Sequence, residues 1–214
     1  GLRRRGIERD KDRFGRTVDY LRLSVSDRCN FRCSYCLPRA HRDFVTPKEW
    51  LDPGEITRIV GLFAGLGVSH VRLTGGEPTV RKELVDIAGG IATLPGIRDL
   101  SLSTNASRLR QLAVPLVKAG VRRLNISLDS IDPARFKSLT GGQLRPVLDG
   151  IAAAREAGFA PIKINTVALR GVNEDELERL VDFCMRNGLT LRFIEVMPVG
   201  AGGQAAQANY MPLT

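Results

Sequence analysis

Short apolar segments alternate with longer amphipathic segments along most of the 214-residue chain. The short segments are rich in Val, Ile and Leu and are flanked by Gly, Asn or Asp, which is typical of buried β-strands. Between them, apolar residues recur at positions i, i+3, i+4 and i+7, the spacing of one helix face. The predicted strands are Tyr20–Val25, His70–Thr74, Leu100–Thr104, Arg123–Leu128, Ile162–Ala168 and Leu191–Met197.

Two of the predicted helices carry clear end signals. Asp52 can cap the first of them, Pro53 suits its first position, and Glu55 completes a capping box. A late helix is predicted to begin at Asn173 and to end before Gly188. Both helices therefore lie between predicted strands.

Strands that alternate with helices predict an α/β fold with a parallel sheet and right-handed crossovers. Six units are fewer than the eight of a closed TIM barrel, and an open barrel and a doubly wound sheet both fit. We expect a partial, open (β/α) barrel of the TIM type with about six units. In either architecture, ligands bind at the carboxyl ends of the strands.

Two segments depart from this pattern. In the amphipathic segment Leu109–Leu116, Pro115 is expected to kink or divide the helix. The segment from Gly200 to Asn209 is rich in Gly, Ala and Gln and is predicted to be a loop or linker. The expected organisation is a basic arm over residues 1–11, a core domain over 12–199 and a loop over 200–214 that leads towards a further region.

Composition is ordinary for a globular protein, with 43% hydrophobic and 26% charged residues. No apolar run approaches the ~20 residues of a membrane span, and no apolar h-region follows the Arg-rich amino terminus. A cytoplasmic protein without a membrane partner is therefore expected. The net charge of +9 predicts affinity for anions. The run Arg3–Arg5 fits a solvated arm better than an RNA contact, because no aromatic residues interleave it.

Three of the four cysteines lie within eight residues, directly after the first predicted strand. A disulfide framework would spread them along the chain, so the clustering of Cys29, Cys33 and Cys36 indicates a metal site. Zinc prefers four protein ligands, and His41 is the nearest candidate for a fourth. Three cysteines suit a 4Fe-4S cluster with one open iron. Cys184, on an apolar helix face, is interpreted as a buried small hydrophobe.

The spacing CxxxCxxC, with Tyr35 before the last cysteine, resembles that of radical S-adenosylmethionine (SAM) enzymes. The resemblance implies that Cys29, Cys33 and Cys36 hold a 4Fe-4S cluster. It also implies that the amino and carboxylate groups of SAM bind the open iron. One-electron reduction then cleaves SAM to methionine and a 5′-deoxyadenosyl radical, which abstracts hydrogen from the substrate.

Further motifs at predicted strand ends support this resemblance. The turn Gly75-Gly76-Glu77-Pro78 follows the second strand and looks like the element that holds the SAM amino group. Two glycines allow close approach to a ligand, and Glu77 offers a carboxylate to a cation. By the same resemblance, Ser127 donates its hydroxyl to SAM, and Tyr35 and Met197 lie along the adenine. Plain core packing remains the alternative for Tyr35 and Met197.

Longer strings resemble the GTP 3′,8-cyclase family, which begins molybdenum cofactor (molybdopterin) biosynthesis. They are Leu21–Arg28 (LRLSVSDR), Val71–Thr74 (VRLT) and Arg192–Met197 (RFIEVM), and the resemblance runs from about Asp12 to Gly200. It implies abstraction of the ribose 3′ hydrogen of GTP, followed by attack of the ribose radical on C8 of guanine. The implied product is (8S)-3′,8-cyclo-7,8-dihydroguanosine 5′-triphosphate.

Basic residues on the predicted strands fit this substrate. Those expected to bind the triphosphate are Arg22, Arg72, Lys163 and Arg192, and Ser103 matches a hydroxyl contact to the nucleotide. Arg can grip a phosphate with two parallel hydrogen bonds, and a buried cation is costly unless it is paired. The alternative is ion pairing with Asp129, Glu195 or Glu77.

The chain also departs from the family pattern. Family members carry a second 4Fe-4S cluster on three further cysteines in a carboxyl-terminal region, and the 214 residues hold no second cysteine cluster. We therefore expect the amino-terminal portion of such an enzyme or a shortened relative. Ala106 stands where the family usually has Gly, and His70 where it often has a longer basic side chain.

Other functions remain open at this point. A different radical SAM enzyme could act on a peptide or a nucleoside, and a basic zinc- or nucleic-acid-binding module would use the cysteines structurally. The radical SAM interpretation carries partner expectations. They are GTP, a one-electron reductant such as flavodoxin or ferredoxin, a possible homodimer and no nucleic acid.

Overall fold

The fold is a single open sheet of six parallel strands in the order β1-β2-β3-β4-β5-β6. It is seen in a computed structural model that describes residues 13–36 and 44–213, so the predicted arm over 1–11 lies outside the described residues. The strands are β1 Tyr20–Ser24, β2 His70–Thr74, β3 Asp99–Thr104, β4 Arg123–Ser127, β5 Ile162–Ala168 and β6 Thr190–Glu195.

Helices connect successive strands in the described part of the chain. They are α1 Pro53–Gly65, α2 Leu84–Ala92, α3 Leu109–Lys118, α4 Pro133–Thr140, α5 Leu144–Glu156 and α6 Leu177–Arg186, and a further helix, α7 Gly200–Ala206, follows β6. Short 3-10 helices cover Pro47–Glu49, Pro78–Val80, Glu174–Glu176 and Gln207–Asn209. None of the described helices is long and apolar enough to span a bilayer.

The sequential strand order decides between the two expected architectures. A doubly wound sheet reverses its strand order at a switch point. Here every strand pairs with its successor, and right-handed crossovers then place the helices on one side of a curling sheet. The predicted partial (β/α) barrel is confirmed.

The two faces of the sheet differ sharply. Alternate strand residues pack beneath the helices and form the core. They include six large apolar side chains that are 0% exposed: Val71, Leu73, Leu102, Leu124, Ile126 and Ile164. Burying each of these side chains contributes about 1.5–3 kcal/mol. The opposite, inner face of the barrel carries polar and charged side chains, so it is built for contact with something other than a helix.

The local end signals are confirmed at α1 and only partly at α6. Asp52 Oδ1 accepts from the Glu55 amide and Glu55 Oε2 accepts from the Asp52 amide, both at 2.8 Å. At α6 the chain first makes a 3-10 turn, and Asn173 makes no side-chain cap. The side-chain amide of Asn173 instead donates to the backbone oxygens of Asp129 and Val167. Because these two bonds occupy the buried side chain, Asn173 does not cap the helix as expected.

The outcomes for the two irregular segments differ. Of the two effects expected at Pro115, a division of the helix is not seen, because α3 runs from Leu109 to Lys118 through that residue. The loop predicted from Gly200 is wrong at its start, because residues 200–206 form α7. Glycine is a poor helix former, but Gly202, Gly203 and Ala206 are buried in close packing that larger side chains would prevent. Tertiary contact therefore outweighs propensity in this segment.

Candidate active site

A cavity of about 270 Å³ opens at the carboxyl ends of the strands. It is walled by the cysteine loop, the turn after β2 and inward-facing strand residues. The predicted site residues that line it are Arg22, Cys29, Cys33, Tyr35, Gly75, Gly76, Glu77, Ser103 and Ser127. Cys36, Met197, Arg72, Lys163 and Arg192 are not part of this lining. The expected gathering of motifs at one end of the barrel is therefore present.

The cysteine loop is fixed against the end of α4. The amides of Arg32 and Ser34 donate to the backbone oxygens of Thr140 (2.8 Å) and Leu139 (2.9 Å). Between the first two cysteines, Phe31 packs edge-on against the ring of Phe136, with centroids 5.8 Å apart. These contacts hold the loop that carries Cys29 and Cys33 at the cavity wall.

All three cysteines of the loop are free thiols. Burial raises the pKa of Cys29 and Cys36, and burial together with nearby Asp129 raises the pKa of Cys33 to about 12. Such thiols stay protonated at neutral pH unless a cation stabilises the thiolate. Metal binding at this loop would therefore have to be accompanied by loss of the thiol protons.

The arrangement of these thiols bears on the kind of centre. Among the described residues, no three His, Cys, Asp or Glu side chains converge on a single ion. A 4Fe-4S cluster takes its thiolates at separate iron atoms, so it does not need that convergence. His41, the candidate fourth ligand for zinc, lies outside the described residues.

The two glycines after β2 let two loops pack together. A Cβ atom on Gly75, whose φ is +149°, would lie 2.1 Å from the Ser26 backbone oxygen, and one on Gly76 would lie 2.4 Å from that of Arg28. The Gly76 and Glu77 amides donate to these same two oxygens, both at 2.7 Å. The turn therefore docks on the segment that leads into the cysteine loop.

The Glu77 carboxylate is engaged within the chain. It is 1% exposed, and its Oε1 accepts from the Thr79 amide (3.0 Å), the Thr79 hydroxyl (2.6 Å) and the Thr104 hydroxyl (2.7 Å). Its Oε2 accepts only from the Asn105 amide, at 2.6 Å. Burial raises the pKa of Glu77, and these bonds oppose the rise. Most of the carboxylate ties two strand ends together, and only Oε2 keeps capacity for a ligand cation.

Asp129 links the cysteine loop to β5. Its Oδ2 accepts from the Tyr35 hydroxyl at 2.5 Å and its Oδ1 from the Val167 amide at 2.8 Å. Burial raises the pKa of Asp129 to about 6. Tyr35 lines the cavity and also packs against a small buried apolar cluster. The ligand and packing interpretations of Tyr35 are therefore compatible with each other.

The basic residues share the inner face of the barrel. Strand register places Arg72 beside Arg22 and Arg192 beside Asn165, and Arg22 and Asn165 both line the cavity. By the same pairing, Lys163 lies beside Asn125. Burial lowers the pKa of Arg72, and the neighbouring charges of Arg22 and Arg192 lower it further. These cations are therefore near enough to repel one another.

The ion-pair alternative for these residues is not supported. Within the described residues, no carboxylate lies within salt-bridge distance of Arg22, Arg72, Lys163 or Arg192. The carboxylates considered as partners bond elsewhere, since Glu195 accepts from the Tyr210 hydroxyl and the Leu213 amide. Arg192 is held instead by two neutral acceptors, Asn165 Oδ1 at 3.0 Å and Asn125 Oδ1 at 2.6 Å. Its positive charge remains available to an anion.

The comparison with protein families agrees with this geometry. The profile of the radical SAM superfamily matches residues 23–184, a span that includes the cysteine loop, the turn after β2 and strands β2 to β5. The chain belongs to the radical SAM superfamily. Membership implies a 4Fe-4S cluster and SAM as cofactors.

Two GTP 3′,8-cyclases are similar in sequence to this radical SAM chain. A GTP 3′,8-cyclase of Listeria monocytogenes is 45% identical over 204 residues, which are 95% of this chain and 61% of that protein. A GTP 3′,8-cyclase of Pseudomonas entomophila is 50% identical over 190 residues, 88% of this chain and 57% of that protein. The chain thus spans about three fifths of the length of these relatives.

Solved structures support the fold. The crystal structure of Streptococcus suis SuiB bound to the precursor peptide SuiA superposes with a TM-score of 0.67 at 22% identity. The match covers 82% of this chain and 39% of SuiB. At this identity the likeness concerns the radical SAM fold.

Sequence reasoning missed Asn125 and Asn165, and it considered Asp129 only as a possible ion-pair partner of the basic residues. A usable signal was the period-2 alternation of apolar and polar residues in Arg123–Ser127 (RLNIS) and Ile162–Ala168 (IKINTVA). It marks a strand with one face in the core and the other open to a solvent or ligand space. Read in that way, it assigns both asparagines to the inner face.

The two departures from the family pattern also have structural counterparts. Ala106 is buried and has φ of +61°, a left-handed conformation that favours glycine. His70 lies at the start of β2, with Nδ1 3.0 Å from Ser69 Oγ and 3.6 Å from Asp19 Oδ2. The backbone at residue 106 is therefore the one that family members with Gly would adopt without strain.

Removing the Asp129 side chain should loosen this site. We expect Asp129→Ala to lower the free energy of unfolding by about 2–4 kcal/mol, because the Tyr35 hydroxyl and the Val167 amide lose their buried acceptor. Asp129→Asn should cost less, since its amide can accept from Val167 and donate to the Tyr35 oxygen. Urea unfolding of the apoprotein measures both, with exposed Asp182→Ala as the control. Equal losses for the two Asp129 variants would contradict the linking role.

Proposed function

We propose that this radical SAM chain is the SAM-cleaving part of a GTP 3′,8-cyclase. The reaction would convert GTP to (8S)-3′,8-cyclo-7,8-dihydroguanosine 5′-triphosphate, the first step of molybdenum cofactor biosynthesis. The observation that carries the proposal is the set of inner-face cations Arg22, Arg72, Lys163 and Arg192, which have no carboxylate partner among the described residues. The identity of 45–50% to cyclases of known name supports the same substrate.

The cysteine loop would hold one 4Fe-4S cluster through Cys29, Cys33 and Cys36. Its free thiols, half-buried at Cys29 and Cys33 and exposed at Cys36, and the adjoining cavity fit such a group. Bound cluster and SAM would supply the radical that removes the ribose 3′ hydrogen of GTP. The proposed SAM contacts in the cavity wall are Tyr35, Gly75, Gly76, Glu77 and Ser127, and Met197, which is not part of the cavity lining, is proposed as a further contact.

For Met197 the support is indirect. Its side chain is 66% exposed and outside the cavity lining, so only a main-chain contact is proposed. For Glu77, the proposed contact uses Oε2, the oxygen with a single hydrogen bond. These positions give the SAM amino group an acceptor at the turn after β2.

The nucleotide would bind through the inner face. Arg22, Arg72, Lys163 and Arg192 provide positive charge for a triphosphate, and Ser103 offers a hydroxyl at the end of β3. Arg72 has a buried Nε atom without a hydrogen-bond partner among the described atoms. This is expected of a donor whose partner is a bound ligand. A guanidinium suits phosphate because its donors match two oxygens at once.

The proposed setting is the cytoplasm, with a one-electron protein reductant such as flavodoxin or ferredoxin. The four free cysteines are consistent with a reducing compartment. A second cluster, as in the cyclase family, would require cysteines in addition to these four. The homodimer stays a prediction, to be tested by light scattering.

Anaerobic reconstitution with iron and sulfide tests the proposal. After addition of dithionite, SAM and GTP deuterated at the ribose 3′ carbon, we expect deuterium in the 5′-deoxyadenosine product. We also expect a GTP complex that is much tighter than the guanosine complex, with an affinity that falls as salt rises. Stoichiometric zinc in place of iron would overturn the radical SAM assignment. SAM cleavage without deuterium transfer, or equal affinity for GTP and guanosine, would overturn the assignment of GTP as the substrate.

A further inference from the structure

The short helix α7 lies directly on the main chain of the third cysteine. A Cβ atom on Gly202 would lie 2.5 Å from the Cys36 backbone oxygen and 2.8 Å from the Cys36 amide nitrogen. Real Cβ atoms do not approach backbone atoms so closely. Only glycine at position 202 therefore lets the helix and this end of the cysteine loop touch without displacement.

The helix cannot easily retreat from this contact, because its surroundings are tied to the barrel. After α7, Tyr210 forms an antiparallel bridge with Leu169, and the Asn209 backbone oxygen accepts from the Arg170 amide at 2.8 Å. The Tyr210 hydroxyl donates to Glu195 at the end of β6, also at 2.8 Å. These bonds fix the carboxyl-terminal side of α7 to the ends of β5 and β6.

A second contact joins α7 to the cysteine loop. Ala206 belongs to a small buried apolar cluster, with Leu139, Leu169 and Val196, and Tyr35 packs against that cluster. The loop is thus held on two sides. The end of α4 binds the amides of Arg32 and Ser34, and α7 covers Tyr35 and Cys36.

We propose that α7 positions Cys36 for iron by closing on its main chain through Gly202. This inference rests on the proposed assignment of Cys36 as a cluster ligand. Cys36 is the exposed cysteine of the three, and its backbone amide bonds within the loop, to the Cys33 oxygen at 3.0 Å, and not to α4. The contact with α7 therefore ties this end of the loop to the barrel. Displacing a ligand or its supporting shell by a fraction of an ångström weakens a metal site.

The test uses Gly202→Ala in the full chain after anaerobic reconstitution. We expect cluster iron to be lost to a chelator about 10-fold faster than in the unchanged protein, with an altered EPR spectrum of the reduced cluster. The matched control is Gly89→Ala, also a glycine within a helix, where an added Cβ has no neighbour within 4 Å. Iron loss at the rate of this control would overturn the proposal.

A destabilised fold could also release iron, so a second control is needed. Leu180→Ala empties a core position on α6, where the side chain is 0% exposed, far along the chain from Cys29, Cys33 and Cys36. The two variants are compared under conditions in which each has lost the same free energy of unfolding. If Leu180→Ala then releases iron as fast as Gly202→Ala, iron loss reflects general destabilisation and the proposal fails. A Cys36→Ala variant that keeps its cluster and its SAM response would overturn the ligand assignment itself. Loss of the cluster in that variant, with normal iron retention in Gly202→Ala, would overturn only the positioning role.

Discussion

Glu77→Ala is expected to lower the free energy of unfolding of the apoprotein by about 4 kcal/mol or more. The carboxylate accepts four buried hydrogen bonds, from Thr79 (two), Thr104 and Asn105. Hydrogen bonds to a charged group contribute about 1.5–3 kcal/mol each, and donors left without a partner add a desolvation cost. Domains are stable by only about 5–15 kcal/mol, so we expect the variant to be close to unfolding at 37 °C.

Urea unfolding followed by circular dichroism measures this effect. Glu77→Gln should lose about half as much, because its amide keeps one acceptor oxygen and turns a donor towards Asn105 or the threonines. Glu178→Ala, at an exposed position of α6, is the control and should stay within about 0.5 kcal/mol of the unchanged protein. A Glu77→Ala variant as stable as that control, with lost SAM binding, would show that the carboxylate serves SAM alone.

This result matters for how far a sequence can be interpreted. The turn Gly75–Pro78 is readable as a motif, but its spacing does not reveal that Thr104 and Asn105, on the next strand, occupy the carboxylate. Local signals were sufficient where partners are close in sequence, as in the Asp52 capping box. The role of Glu77 depends on residues 27 and 28 positions away, which a local pattern does not contain.

The same reasoning explains the error at α7. Gly, Ala and Gln predict a loop because glycine lowers helix propensity, and propensity is a local quantity. The helix forms because Gly202 and Gly203 allow contact with Cys36 and Met197. By contrast, the parallel sheet follows from the alternation of strands and helices and from general rules of chain connection, so it could be predicted.

The inner-face asparagines give a second strong prediction. We expect Asn165→Asp to weaken GTP binding roughly 10- to 100-fold while the fold is preserved. The carboxylate introduced at position 165 would accept a hydrogen bond from Arg192, as the Asn165 amide oxygen does at 3.0 Å. Unlike the neutral amide, however, the carboxylate would cancel the positive charge of Arg192. A loss of about 1.4–2.8 kcal/mol, which is part of the about 4 kcal/mol by which opposite charges near 4 Å interact in a partly buried setting, corresponds to this range of affinity.

Equilibrium binding of GTP at fixed ionic strength measures the change, and thermal unfolding reports the fold. The chain offers a matched control in Asn187→Asp, because Asn187 Oδ1 accepts from Arg155 at 3.0 Å in an exposed pair far from the cavity. That variant makes the same chemical change beside the same kind of partner, so its GTP affinity should be unchanged. Equal weakening in both variants would mean that net charge alone governs binding. Unchanged affinity in Asn165→Asp would mean that Arg192 does not contact phosphate. If Arg192 did contact phosphate, cancelling its charge would weaken the binding of the triphosphate.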